Sequence, residues 1–263
     1  MERTFGGNRL RSVTTTRLNG YLADRLDEGA APSTVKKELA ALRRAFNLLA
    51  KEGRVSSVPS FPSVAIDNTR EGFFTRAQLD RLLVELPEHV RGPTQFGALT
   101  GWRKGEILAL QWSAVDFENG VVRLAPGTTK NREGREFPFA ALPALRELLE
   151  GQRAATRTLE RETGRLIPWV FHRAGRRVRS FYKAWNSACQ RAGLEGWVFH
   201  DLRRTAVRDL ERAGVSRSVA TKLTGHKTEA VYKRYAIVDS AALAEGVERL
   251  AASRKIVPIN RAG

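Results

Sequence analysis

The sequence predicts a mainly α-helical protein with a small antiparallel β-sheet, built as two domains: a small helical one and a larger α+β one. Three observations predict it. Apolar residues recur at helical spacing through most of the 263 residues. The one clear sheet signal is a pair of β-prone runs, Val121–Leu124 and Arg135–Phe139, joined by a polar segment that carries Gly127 and Gly134. Between the first helices and the rest, residues 55–73 lose all periodicity and gather Pro59, Ser60, Pro62 and Ser63, the composition of an extended connection. The domains expected are therefore 1–58, small and helical, a linker over 59–73, and 74–263.

Each element has a local reason. A helix over Thr15–Asp27 would turn Leu18, Leu22 and Leu26 inward. Val35, Leu39, Leu42, Phe46 and Leu49 form one face of a second amphipathic helix, which Ser33 or Thr34 can cap and Gly53 follows. Two helices make a thin core, so further residues or a partner should cover them, and Arg17, Lys36, Lys37, Arg43 and Arg44 are left for an outer face. Thr75 and Gln78 have capping-box spacing and open a helix through Leu83. The next helix spans His89–Leu99 and stops at Thr100-Gly101. Lys104–Leu110 starts another, placing Arg103 at a helix junction. Beyond the strands, helices are expected over Leu142–Gly151, Val178–Ala192, His200–Ala213, Ser216–Leu223, Glu229–Tyr235 and Ser240–Leu250. Trp112, Trp185, Trp197 and Phe199 are assigned to packing.

Charge narrows the partner. Lys and Arg number 45 against 28 Asp and Glu, a formal charge of +17. The basic residues are spread along the chain between apolar helical positions, which suits a concave surface along a phosphate backbone and favours nucleic acid over a membrane. The run Arg173, Arg176, Arg177 and Arg179 is expected to meet phosphates, as are Lys36, Lys37, Arg43 and Arg44. Cys189 is the only cysteine, which excludes an internal disulfide and a zinc finger, and near Trp185 and Ala188 it reads as a buried helix residue. The start Met1-Glu2-Arg3-Thr4 has no apolar signal region and charges interrupt every apolar run, so a cytoplasmic protein is expected. No Asp/Glu cluster has the form a two-metal nuclease needs; neither metal nor cofactor is expected.

The chemistry is concentrated in polar residues that no apolar core requires. Arg103 follows Thr100-Gly101-Trp102; His200 and Arg203 lie three apart; His226 follows Gly225; Lys130 lies between the two strands; and Tyr232 and Tyr235 come last. Taken singly, each has a plain reading: a surface charge, a solvated helix face, a histidine at a helix C-terminus, a tyrosine at the edge of a core. Together they read as a phosphate site with a nucleophile. A tyrosine hydroxyl, with a pKa of roughly 10, attacks phosphorus only with help. Paired guanidiniums such as Arg103 and Arg203 would disperse charge on the non-bridging oxygens, a lysine could protonate a departing 5′ oxygen, and histidines could take the tyrosine proton or hold a phosphate oxygen.

The stretch Thr100-Gly101-Trp102-Arg103-Lys104-Gly105-Glu106-Ile107-Leu108-Ala109-Leu110-Gln111-Trp112 resembles the first catalytic box of the tyrosine recombinases, also called phage integrases. His200-Asp201-Leu202-Arg203-Arg204-Thr205 resembles the second, and Leu223-Thr224-Gly225-His226-Lys227 leading to Tyr235 the third. Arg17 to Pro59 is similar to the family's helical core-binding domain, only shorter. The resemblance implies a larger domain with the catalytic fold of that family and a catalytic set of Arg103, Lys130, His200, Arg203, His226 and the nucleophile Tyr235, with Glu106 in support. It selects Tyr235 by its distance from His226, and Lys130 by its place between the strands, with Lys104 as second choice. It also implies a site-specific DNA recombinase working through a covalent 3′-phosphotyrosine on double-stranded DNA, without metal or ATP. The protein would be a monomer in solution and a homotetramer on paired sites, docked through the C-terminal helix that carries Leu243, Val247 and Leu250, with accessory DNA-bending proteins as further partners. No arm-binding domain is visible before Thr15. Competing readings are a catalytically silent DNA-binding regulator on the same fold and a relaxing topoisomerase with the same tyrosine chemistry.

Overall fold

The computed structural model describes residues 2–66, 72–125, 127, 134–226, 232 and 240–253. Contacts divide the chain into two compact units, Met1–Glu71 and Gly72–Gly263.

In the first unit a short helix, Glu2–Phe5 (α1), and a 3-10 turn, Leu10–Ser12, precede two longer helices. Thr14 caps α2 (Thr15–Asp27) by accepting from the Arg17 N–H. The entry of α3 (Pro32–Lys51) differs from expectation: Ala31 is the N-cap, and Pro32 in the first turn presets φ where no intrahelical donor is needed. Leu18 and Tyr21 are buried in α2, whereas Leu26 is 40% exposed. Leucines spaced four apart drift around a helix of 3.6 residues per turn, so the third leaves the core face. Val35, Leu39 and Phe46 supply the α3 side. Between the helices, the Tyr21 hydroxyl donates to Glu38 (2.8 Å) and Arg25 donates to both its carboxylate oxygens.

The thin core receives its cover from this chain. Residues 55–66 contain no helix or strand; Val64 is buried, and Val55, Val58, Phe61 and Ile66 pack on the same cluster as Phe5. Phe61 meets Phe46 edge-on at 6.2 Å. Arg17, expected on an outer face, is instead half-buried, donating to the Thr4 carbonyl at 2.7 Å over the Phe5 ring. Lys36, Lys37, Arg43 and Arg44 are exposed on α3.

The second unit is mainly helical with small antiparallel sheets, the class the sequence predicts. Its elements are α4 (Arg76–Glu85), α5 (Glu88–Thr100), α6 (Lys104–Ile107), β1 (Val115–Asp116), β2 (Val121–Leu124), β3 (Arg135–Pro138), α7 (Pro143–Thr163), β4 (His172–Arg173), β5 (Arg176–Arg177), α8 (Tyr182–Arg191), α9 (Asp201–Arg212), α10 (Arg217–Thr224) and α11 (Ser240–Ser253). Thr75 and Gln78 form the reciprocal capping box of α4. Strands β1, β2 and β3 make an antiparallel meander with Val122 opposite both Val115 and Phe137, so one face meets the core. Fully buried Phe74, Phe96, Trp102, Phe139 and Phe171 anchor that core. Burying each stabilises the unit by about 1.5–3 kcal/mol relative to exposure. α5 packs on α9, and Gly97 in α5 leaves room for the Phe199 ring just ahead of α9, which a Cβ there would meet at 2.9 Å.

In this unit three helix boundaries depart clearly from expectation. The helix at Lys104 is one turn rather than two, because after it the chain crosses to residues 168–170, where the Leu110 carbonyl accepts from the Val170 N–H. The helix expected to end at Gly151 runs on to Thr163: Gly151 has open space around it, and buried Leu149 and Thr156 hold the helix through it. Val178 precedes the helix that begins at Tyr182. There is also a second sheet, the β4–β5 hairpin, turned by Ala174 and Gly175 with φ of 48° and 78°. The helix expected over Glu229–Tyr235 lies outside the described residues except for Tyr232.

Candidate active site

Helix α5 ends at Gly101 with φ 65°, a left-handed turn that glycine adopts without a Cβ penalty. Thr100 steadies the turn by donating its hydroxyl to the Phe96 carbonyl and accepting from the Trp102 N–H. The Trp102 ring enters the core, and its Nε1–H donates to the Leu223 carbonyl (3.0 Å) near the end of α10. Arg103 follows as the N-cap of α6. Glu106, in the first turn of that helix, accepts from the Arg103 backbone N–H and from its Nη1, both at 3.0 Å. The Glu106 carboxylate is almost fully buried while Arg103 keeps part of its side chain in solvent.

Helix α9 brings the second arginine. His200 is its N-cap, and Asp201 in the first turn accepts from the Val198 N–H, a favourable place for a carboxylate. Arg203, one turn in, is 2% exposed. Its Nη1 donates to the carbonyls of Gly101 (2.7 Å) and Thr224 (2.6 Å), and its Nε donates to His226 Nε2 (3.1 Å). The guanidinium thus joins the ends of α5 and α10.

His226 follows α10, which closes at Gly225 with φ 71°. The Thr224 hydroxyl donates to the Ala220 carbonyl at 2.7 Å, so its oxygen is left to accept from His226 Nδ1 at 2.7 Å. With Nε2 accepting from Arg203, the ring is the neutral tautomer protonated on Nδ1. Burial, then the charges of Arg203 and Arg103, pull its pKa down to about 3. His200 stays exposed at the rim, yet the surrounding protein, then Arg203, hold its imidazole below the ordinary value, with Arg103 adding to the effect. Tyr232 is fully buried, edge-on to His226 with ring centroids 5.3 Å apart, and its hydroxyl has no hydrogen-bond partner among the described residues. Burial pushes that hydroxyl to a pKa of about 12, which fits the packing role and not a nucleophile.

The fold therefore gathers Arg103, Glu106, His200, Arg203 and His226 from three separate stretches of sequence. Lys130 and Tyr235 lie outside the described residues. Lys36, Lys37, Arg43 and Arg44 belong to the first unit. Arg173, Arg176 and Arg177 line the β4–β5 hairpin and Arg179 follows it, all exposed; the Arg177 Nε also donates to the Leu108 carbonyl, over the Trp169 ring. Arg177 shares an open cleft of about 840 Å³ with Glu106, Arg123, Arg135 and Trp169.

One further member of the cluster, Arg135, lies outside the site residues expected from the sequence. Arg135, the first residue of β3, has a side chain only 6% exposed. It pairs with Glu106, donates to the Thr224 carbonyl and lies 4.8 Å over the Trp102 ring. Burial and the nearby Arg103 lower its pKa, and Glu106 opposes them. Strand alternation carried the signal, since Arg135 shares a sheet face with buried Phe137. Among the described residues no group of three or more His, Cys, Asp or Glu could hold a metal ion, and no helix is long and apolar enough to cross a membrane.

The fold recurs in known structures. A lambda integrase dimer bound to a COC′ core site superposes with a TM-score of 0.69 at 20% identity, over 91% of this chain and 70% of that one. The Tn1549 transposon integrase in complex with a circular intermediate DNA gives 0.70 at 16% identity, over 93% and 88%. Among curated sequences, the integrase of Salmonella phage P22 is 28% identical over 218 residues, covering 78% of this chain and 52% of its own length. The tyrosine recombinase XerC of Roseiflexus castenholzii is 29% identical over 229 residues, covering 81% and 71%. Measured against the P22 integrase and the shufflon-specific DNA recombinase of Escherichia coli, the chain spans about half the relative's length. The model of the Phage integrase family matches residues 73–241, and the chain belongs to that family.

Proposed function

We propose that the chain is a site-specific DNA recombinase that breaks and rejoins a phosphodiester through a covalent tyrosine. The observation that carries this reading is the convergence of Arg103, Arg203, His200 and His226 in one cluster, with Glu106 as its buried carboxylate. Two guanidiniums that can neutralise phosphate oxygens, one of them held by the neutral His226, and a neutral imidazole at the rim, drawn from distant parts of the sequence, suit the charge and the proton transfer of a pentacoordinate phosphorus. In the reaction, the Tyr235 oxygen attacks phosphorus and the bond to the 5′ oxygen breaks. The tyrosine proton passes to a base, for which exposed His200, held neutral by its depressed pKa, is suited. Lys130 protonates the departing 5′ oxygen. The phosphotyrosine keeps the bond energy, so a second 5′-hydroxyl reverses the step on a new strand, with no metal and no ATP. Arg103 and Arg203 hold the non-bridging oxygens throughout.

The domain roles follow from the same reading. Residues 1–58 grip the duplex through Lys36, Lys37, Arg43 and Arg44; 59–73, whose Phe61, Val64 and Ile66 also cover the helices of the first unit, link them to the catalytic part, 74–263. Arg173, Arg176, Arg177 and Arg179 meet phosphates beside the site. Leu243 and Val247, 63% and 66% exposed on α11, belong to a docking face for a neighbouring protomer. The lambda integrase, solved as a tetramer bound to a Holliday junction, supports a tetramer on paired sites, formed from monomers in the cytoplasm, with DNA-bending proteins as accessory partners. The test is capture on a pool of random-sequence duplexes, each nicked beside the cleavage position so that the product cannot be resealed. The wild-type chain should yield an adduct stable to denaturation, and Tyr235→Phe should bind duplex and yield none. An adduct that survives Tyr235→Phe moves the nucleophile elsewhere; a wild-type chain that binds but never forms one is a silent regulator.

A further inference from the structure

We propose that Arg135 is a positioning residue that fastens the two arginines of the clamp to each other, an inference that rests on the strand-transfer reading above. Two acceptors are shared. The Glu106 carboxylate takes Arg103 Nη1 and backbone N–H and also pairs with Arg135 Nη2. The Thr224 carbonyl takes Arg203 Nη1 and also Arg135 Nη1. Arg103 and Arg203 are thus joined through Glu106, Arg135 and Thr224, a continuous chain of charge-assisted hydrogen bonds across α6, β3, the end of α10 and α9.

The geometry calls for arginine. Its planar fork reaches a carboxylate and a carbonyl on different elements at once, while its face lies on the Trp102 indole. A lysine, a point charge on a flexible stem, reaches one acceptor and stacks poorly. Gly225 points the same way independently: a Cβ at that position would coincide with the Arg135 guanidinium, so the Thr-Gly-His turn is shaped around it. Arg135 also adds a third positive charge to the cluster, with a side chain only 6% exposed. Its effect on catalysis passes through Arg103 and Arg203.

Two measurements decide the role. In the free protein, the side-chain Nε–H resonances of Arg103 and Arg203, seen by nitrogen-proton NMR, should move or broaden in Arg135→Met, in Arg135→Lys and in Gly225→Ala, where Arg135 is present but displaced. Unmoved resonances in all three would overturn the proposal, whatever the chain does to DNA. On the nicked duplex enriched from the random pool by the wild-type chain, Arg135→Met should form adduct roughly 10- to 100-fold more slowly at saturating DNA, with duplex affinity within about threefold of wild type. Combined with Glu106→Gln, it should add little to the slower single variant, since both cut the same link. Losses that simply multiply, or a loss confined to binding, would reduce Arg135 to a structural residue. A wild-type chain that forms no adduct on any duplex would sink the strand-transfer reading while the resonances still judge the link.

Discussion

Arg203 donates its Nε–H to Nε2 of His226 across 3.1 Å, and Thr224 takes the other ring nitrogen. Both nitrogens of a neutral imidazole are thereby engaged, so in this arrangement the histidine orients an arginine. Replacing His226 by Leu would leave a charged donor buried without that acceptor, whereas Gln offers a carbonyl oxygen in its place. Adduct formation should fall by on the order of 10²-fold in His226→Leu, and His226→Gln should recover at least part of it. Single-turnover rates decide; equal losses would mean that the imidazole does something an amide oxygen cannot.

Arg203→Ala should slow cleavage by on the order of 10² to 10³ while changing duplex affinity little, because a clamp acts most strongly as charge builds on the phosphate. Rates at saturating DNA, set beside equilibrium binding, separate the two. A loss of affinity as large as the loss of rate would make Arg203 a docking residue.

All four histidines, His89, His172, His200 and His226, have pKa values below the ordinary value, first because the surrounding protein displaces water, even at the rim position of His200, and at His226 the value falls to about 3. A folded pKa below the unfolded one means that the unfolded chain takes up the proton first as pH falls. The stability associated with neutral His226 is complete above roughly pH 6.5 and is lost as pH drops toward its folded pKa, at up to about 1.4 kcal/mol per pH unit. Denaturant midpoints measured from pH 7.5 down to pH 4.5 should decline, and less steeply in His226→Gln. An identical slope in that variant would show that His226 is protonated without cost.

Exchanging Leu243 and Val247 for Ser on α11 should leave the binding of a single duplex unchanged and abolish the larger complex on paired sites. Both side chains are exposed in the chain, so their loss costs the fold little. Native gels and light scattering with one and two sites report it; tetramers of the variant would place the protomer contact elsewhere.

Sequence and structure agree most closely where the signal is local. The bounds of α2 and β2 and the Thr75–Gln78 box are set by caps and periodicity within a few residues, and they were legible. The β4–β5 hairpin was not, since two-residue strands show no alternation and Ala174-Gly175 is a weak turn signature. α7 continues past Gly151 because tertiary packing outweighs a propensity cost of about 1 kcal/mol. Within the site, Arg103, Glu106, His200, Arg203 and His226 could be named because they sit in recognisable boxes. Arg135 belongs to none of those boxes, and its partners Glu106 and Thr224 are distant in sequence, so only the folded chain shows what it joins.

Cys189 lies buried in α8 with its thiol pushed up to about 11 by burial and by Asp201, and it is the chain's sole sulfhydryl. The native protein is therefore almost silent to maleimide dyes at neutral pH. One cysteine introduced on the solvent side of α3 would take a fluorophore alone, giving a background-free reporter of how the first unit approaches and leaves a duplex.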